Sequence, residues 1–210
     1  MKQLIIIGAG GMGRSMYDMA CNSLGYGTEY TVKGYIDDNL SAMEGYDNYP
    51  PIIGKIAGYV PAVDEVFVCS IGGASRRKCI EEIIAKGGHF INLIHKTAFI
   101  GTNVVMGEGN VIGSYARVAC DSTLGSHNLI QNYADVAHDC RLGDFNRVDC
   151  YVMMVGGTEL QDETTVHTRA VLNHNVVVES NAHVGAMSFV IRRVKAGTTV
   201  MGNPATRLKM

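Results

Sequence analysis

Two short stretches carry residue types suited to chemistry. The first is Gly8-Ala9-Gly10-Gly11-Met12-Gly13, a G-x-G-x-x-G turn lying between an apolar run and a helical pattern. Such a turn brings backbone N–H groups and a helix N-terminus up to a phosphate. Asp37 and Asp38 close the next apolar run, where an acidic residue meets a ribose or a base. The second stretch is His138-Asp139, with Gly156 standing 18 residues further on. A base next to an amide donor is the minimum equipment for acyl transfer. The imidazole takes a proton, the N–H steadies the oxyanion, and the carboxylate fixes the tautomer.

Other reactive types point to less. No pair among the seven histidines is five residues apart, so the H-x4-H spacing of a zinc site is missing and no metal is expected. The six cysteines, at 21, 69, 79, 120, 140 and 150, form no C-x-x-C pair. They read as reduced, packed thiols of a cytoplasmic protein.

The elements that position these residues differ between the two halves. From Ile94 to Val190, every sixth residue is Ile, Leu, Val or Met, 17 positions without a slip. Four residues after each comes a small or modest side chain, from Ala98, Val104 and Asn110 through Ala182 and Ser188. Six residues make one short strand and one tight corner, with the aliphatic residue inside and the small one in the crowded bend. Three such flats close a coil of 18 residues, and coils stack like parallel strands about 4.8 Å apart. Just over five coils are expected. Glycine often follows the aliphatic residue, as at Gly101, Gly107, Gly113, Gly125, Gly143 and Gly185, and is expected there to permit unusual backbone angles. In this frame His138 sits at a corner, in one column with Cys120, Gly156 and His174. Gly156, without a side chain, leaves room beside the imidazole.

The first half alternates instead. Strands are predicted at 3–7, 32–36, 63–69 and 89–92, helices at 14–24 and 74–86, and a loop at Tyr49-Pro50-Pro51. That is a small parallel α/β sheet, with a domain boundary that divides the chain into 1–92 and 93–210. About 90 residues supply one mononucleotide-binding half and no second, which argues against a nicotinamide dinucleotide and for a nucleotide diphosphate. The fold class is a Rossmann-like half domain followed by a parallel β-helix of hexapeptide repeats.

The 210 residues are 47% hydrophobic and 18% charged, with a net charge of −2. This permits a packed core and argues against nucleic acid or an anionic membrane as partner. No apolar run approaches the roughly 18 residues of a membrane span.

Joined, the two halves resemble the NeuD/PglD-type sugar acetyltransferases over essentially the whole length. The resemblance is carried by residues 6–11, Gly34-Tyr35-Ile36-Asp37-Asp38-Asn39 and Ser70-Ile71-Gly72 in the first half. In the second it is carried by Val136-Ala137-His138-Asp139-Cys140, Val155-Gly156-Gly157 and Val200-Met201-Gly202-Asn203-Pro204-Ala205. It implies a left-handed β-helix, a homotrimer, and acetyl-CoA in the groove between neighbouring helices, touched by Gly156, Gly157, Ala186 and Pro204. It also implies a nucleotide-activated amino sugar on Gly8, Gly10, Gly11, Met12, Asp37, Asp38 and Gly72. His138 would be the general base, Asp139 its support and Gly156 the donor to the acetyl oxygen.

Two residues depart from the family pattern. Met12 stands where histidine is common, and Arg147 stands where a second histidine is common. The reading is acetyl-CoA-dependent N-acetylation of an amino sugar in bacterial surface-glycan synthesis. Alternatives are O-acetylation of a sialic-acid-like sugar, or a silent trimer that only binds sugar nucleotides.

Overall fold

Short extended segments with one inward residue each cannot bury that residue alone, so they stack. In a computed structural model describing residues 1–73 and 75–208, the repeat forms a left-handed parallel β-helix. The chain makes two compact units, Met1–Leu93 and Ile94–Met210.

In the first unit, β1 (Lys2–Ile7), β2 (Tyr30–Ile36), β3 (Ile52–Gly54), β4 (Glu65–Cys69) and β5 (His89–Phe90) form one parallel sheet ordered β3-β2-β1-β4-β5. Helix α1 (Gly11–Cys21) and helix α2 (Ser75–Ala85) alternate with the strands. Leu4 to Ile7 and Phe67 are fully buried, which accounts for the near-continuous apolar runs. The helix expected from Arg14 begins three residues earlier, at Gly11, inside the glycine turn. Only Gly8 there needs a left-handed φ, +97°, so Gly11 and Gly13 are free to be helical. The expected loop at 49–51 is followed by the edge strand β3, whose brevity hid it. It pairs with Tyr35 and Ile36.

Glu65 is buried, and its carboxylate accepts from Lys33 Nζ, Tyr59 Oη and the Ala62 amide. Burial pushes its proton affinity up, but these donors outweigh burial and hold it below the ordinary value.

In the second unit, 17 two-residue strands run from Leu93–Ile94 to Phe189–Val190. They form three faces. The first carries Arg147–Val148, Thr165–Val166 and His183–Val184, the second Asp135–Val136 and Met153–Met154, and the third Arg141–Leu142 and Glu159–Leu160. Partners are 18 residues apart, as in Val118 with Val136 and Leu142 with Leu160. The second residue of each strand faces inward and forms the core. Burying one such side chain contributes roughly 1.5–3 kcal/mol. The small-residue track is also buried, and part of it is a polar ladder. Asn110 Oδ1 accepts from the Asn128 amide, Asn128 Oδ1 from that of Asn146, and Asn146 Oδ1 from that of Thr164.

The corners hold a correction. The glycines after the aliphatic residues do not adopt unusual angles. The left-handed residue lies two positions further on, and from Asn103 to Met187 it recurs every six residues. Thirteen of these 15 are not glycine, with φ between +56° and +60°. From Asp121 to Met187 their amides point along the helix axis to a carbonyl one coil earlier, as Asp139 does to Cys120 at 3.2 Å. The preceding glycines serve close approach instead. A Cβ on Gly101 would lie 2.6 Å from the backbone nitrogen of Cys120 in the next coil.

Beyond Val190 the spacing shortens. Val194 stacks on Val178 and Thr199 on His183, each 16 residues apart. A hairpin, Thr199–Gly202 with Ala205–Arg207, follows, and Pro204 sits in its turn.

Gly101→Ala should therefore lower stability by about 1–3 kcal/mol through overpacking. Met187→Gly, at φ +56°, should leave stability equal or higher. Urea unfolding of both variants checks the pair. The depressed Glu65 gives stability that is present above the unfolded carboxylate value, about 4.3, and lost as pH falls through the folded one. Thermal midpoints of Glu65→Gln should fall less steeply than wild type between pH 5 and 3, on the order of a few degrees.

Candidate active site

His138 stands at the corner between the second and third faces. Its Nδ1 lies 2.6 Å from Oδ2 of Asp139. Both side chains are more than half exposed, 59% and 65%. The αL backbone of Asp139 (φ +59°) turns this carboxylate back onto the neighbouring imidazole. With Nδ1 donating to the carboxylate, the unprotonated nitrogen is Nε2, which lies beside Gly156.

Gly156 follows one coil later in the same column. A Cβ there would lie 2.6 Å from Cε1 and 2.7 Å from Nε2 of His138, so the ring occupies the space a side chain would fill. At equivalent corner positions the backbone amide is often capped by a side chain 18 residues ahead. Asp144 caps Ser126, Asp162 caps Asp144, and Asn132 caps Ser114. Among the described residues, no such bond reaches the Gly156 amide. That N–H is left uncapped beside the imidazole. Gly157 is different: its amide donates to the His138 carbonyl at 3.1 Å and is spent.

The cysteines near this corner are poor nucleophiles. Cys120, one coil earlier in the column, has its thiol pushed up by a hydrogen bond to Asp121, then by burial and charge. Burial pushes the Cys140 thiol up to about 11. Both remain protonated at neutral pH.

The second group lies in the first unit. The carboxylate of Asp37 accepts from the Ala9 amide at 2.7 Å and from the Asn39 amide at 2.8 Å. It thereby pins the glycine turn, a role the sequence did not announce. Asp38 accepts from the Ile56 amide. The hydroxyl of Ser70 donates to the carbonyls of Ile7 and Gly8, tying β4 to the same turn. Gly8 is buried under Ser70 and Ile71, whereas Gly10, Gly11, Met12 and Gly72 are exposed. Sequence reasoning passed over Arg14, whose guanidinium lies 3.5 Å from the ring centroid of Tyr46 on the rim of this turn.

The structure thus gathers His138, Asp139, Gly156 and Gly157 at one corner. It gathers Gly8, Gly10, Asp37 and Ser70 around one turn. Ala186 does not join the first group. It lies at the corner between the first and second faces, and Pro204 lies in the terminal hairpin.

Residues 3–84 match the PglD N-terminal domain. An uncharacterized protein, L142, of Acanthamoeba polyphaga mimivirus is 31% identical over 117 residues, covering 56% of this chain and 22% of that protein. UDP-N-acetylbacillosamine N-acetyltransferase of Bacillus subtilis (strain 168) is 29% identical over 117 residues, covering 53% of this chain and 51% of that protein. These matches thus span about half or less of the relatives' length. Among solved structures, the acetyltransferase domain of PglB from Neisseria gonorrhoeae FA1090 superposes with a TM-score of 0.89 at 28% identity. That match covers 99% of this chain and 100% of the other, and the same domain is known in complex with acetyl coenzyme A. PerB from Caulobacter crescentus, in complex with CoA and GDP-perosamine, shares the fold with a TM-score of 0.85 at 23% identity, covering 100% and 98%. The chain thus carries a PglD N-terminal domain at residues 3–84 and is similar along its whole length to the acetyltransferase domain of PglB.

Proposed function

We propose that the protein transfers an acetyl group from acetyl-CoA to the amine of a nucleotide-linked sugar, with His138 as general base. The observation that carries this reading is the His138–Asp139 pair with the ring laid over Gly156 and its uncapped amide. The Bacillus relative, an N-acetyltransferase, and the gonococcal domain that binds acetyl coenzyme A support it.

In this reading Nε2 of His138 takes a proton from the substrate amine as its nitrogen attacks the thioester carbonyl. The Gly156 N–H donates to the oxyanion that forms. Collapse of that intermediate breaks the C–S bond, and the imidazolium returns its proton to the leaving thiolate. Asp139 holds the tautomer throughout and balances the imidazolium. No acyl-enzyme is formed, in keeping with the protonated state of Cys120 and Cys140.

The glycine turn, with Gly8, Gly10, Gly11 and Met12, receives the diphosphate, and Asp37, Asp38 and Gly72 complete that subsite. Asp37 spends lone pairs on Ala9 and Asn39, so part of its role is to hold the turn in shape. Gly157, Ala186 and Pro204 lie along the acyl donor. Their separation onto two corners and a hairpin within one chain suits a donor lying in the groove between copies of a homotrimer. Surface-glycan synthesis in the cytoplasm is the setting this chemistry suits.

Loss of a general base costs about 10²–10⁴-fold in rate. Turnover of His138→Ala with acetyl-CoA and an amino-sugar nucleotide should fall by that factor, while CoA affinity by calorimetry stays unchanged. Wild-type turnover in this variant would overturn the assignment. Gly156→Ala should lower turnover at least tenfold while the circular dichroism spectrum stays native, because the new methyl displaces the ring. Cys120→Ala should leave turnover unchanged; a large loss there would instead indicate an acyl-enzyme.

A further inference from the structure

The segment 39–49, after the Asp37-Asp38 pair, is held at both ends. Asp37 accepts from the Asn39 amide as well as from Ala9, which joins the near end to the glycine turn. Asn39 Oδ1 accepts in turn from the Ser41 amide at 3.1 Å. The far end meets helix α1, where the rings of Tyr17 and Tyr49 make an edge contact with centroids 5.7 Å apart. Arg14 and Tyr17 lie three residues apart on α1 and so share a face. Tyr46 and Tyr49 have the same spacing in the segment, and the second contact between the two elements is Arg14 on Tyr46.

This contact fixes a cation in an unfavourable place. Arg14 is the one basic residue of α1 and stands near its N-terminus, where the helix dipole disfavours positive charge. An anion over the turn reverses that cost. The central carbon of the guanidinium lies 3.5 Å from the Tyr46 ring centroid, close enough for the planar group to lie flat on the ring. A ring covers the face of a guanidinium and leaves its N–H edge free. Among the described residues no acceptor takes up that edge. It borders the turn: a Cβ on Gly11 would lie 3.8 Å from Nη2 of Arg14, and a Cβ on Gly10 would meet nothing within 4 Å.

We propose that Tyr46 positions the Arg14 guanidinium for the second phosphate of a nucleoside diphosphate, the first being taken by the amides of the glycine turn. A nucleoside monophosphate has no group to place there, so the pair selects diphosphate-linked substrates. The inference rests on the nucleotide-linked reading of the first unit and adds the two residues that read the phosphate count.

Calorimetric titration of the full chain with UDP, GDP and dTDP, and with UMP, GMP and dTMP, tests it. The wild type should bind one diphosphate about tenfold more tightly than the matching monophosphate, the scale of one charge-assisted hydrogen bond. Arg14→Met should bring the diphosphate down to the affinity of the monophosphate. Tyr46→Leu should bind the diphosphate about two- to fivefold more weakly, the scale of an exposed cation–π contact, and leave the monophosphate unchanged. Tyr46→Phe keeps the ring and should restore wild-type binding. In turnover assays Tyr46→Leu should raise KM for the sugar nucleotide and leave both kcat and the acetyl-CoA KM in place. Circular dichroism confirms that each variant is folded, and Tyr46→Met replaces Tyr46→Leu if that variant does not fold. Equal binding of diphosphate and monophosphate by the wild type, or wild-type diphosphate affinity in Arg14→Met, overturns the selection. Wild-type affinity in Tyr46→Leu, or equal losses in Tyr46→Leu and Tyr46→Phe, overturns the role of the ring. Each of these results leaves the acetyl-transfer reading standing. A wild type that binds none of the nucleotides contradicts the nucleotide-linked reading, and this inference with it.

Discussion

The hydrogen bond from each left-handed corner amide between Asp121 and Met187 to a carbonyl one coil earlier sets the geometry of the second unit. It fixes the 18-residue repeat at the corners, where strands of two residues have little pairing of their own to hold register. A left-handed conformation costs an ordinary residue roughly 1–2 kcal/mol. The chain accepts that cost at Tyr133, Asp139, Phe145 and their equivalents because each such corner lets the next aliphatic residue enter the core. Once the coils are in register, residues 18 apart become neighbours whatever their type. His138 meets Gly156, and Asp149 meets both Gln131 and His167, by that single rule.

The same constraint explains how a corner becomes a site. At Asn132, Asp144 and Asp162 the side chain caps the amide one coil earlier, and the corner is closed. Where a coil presents glycine, as at Gly156, space opens for the ring one coil earlier. The amide of Gly156 stays open because His174, in the next coil, does not cap it. The first unit reaches a comparable state by other means: Asp37 and Ser70 hold the glycine turn from two sides, leaving Gly10 and Gly11 exposed.

Much of this was legible in the sequence because a strict period of six leaves few choices. The inward track, the corner position of His138 and its column with Gly156 followed from counting. The meaning of the glycines did not. Gly101 and Gly143 mark close approach of the next coil, a contact that depends on residues 18 or 19 positions away. The left-handed positions were hidden because tyrosine, methionine and arginine occupy them, and these types do not announce such a backbone. The shortened coil after Val190 lay beyond the end of the aliphatic track. In the first unit, β3 was too short to stand out after two prolines, and the partner of Asp37 was unreadable because it is a backbone amide. The contacts of Asp149 also escaped notice, since its partners Gln131 and His167 lie 18 residues to either side.

The central claim is that this corner and this glycine turn serve acetyl transfer to a nucleotide-linked amine. Mass spectrometry of wild-type protein incubated with acetyl-CoA and UDP-, GDP- and dTDP-linked amino sugars tests it most directly. The account predicts that one sugar nucleotide gains the mass of one acetyl group and keeps it after hydroxylamine, as an amide does. Loss of the group to hydroxylamine would place the acetyl on a hydroxyl, and an unmodified panel with protein that binds CoA would contradict transfer to such amines.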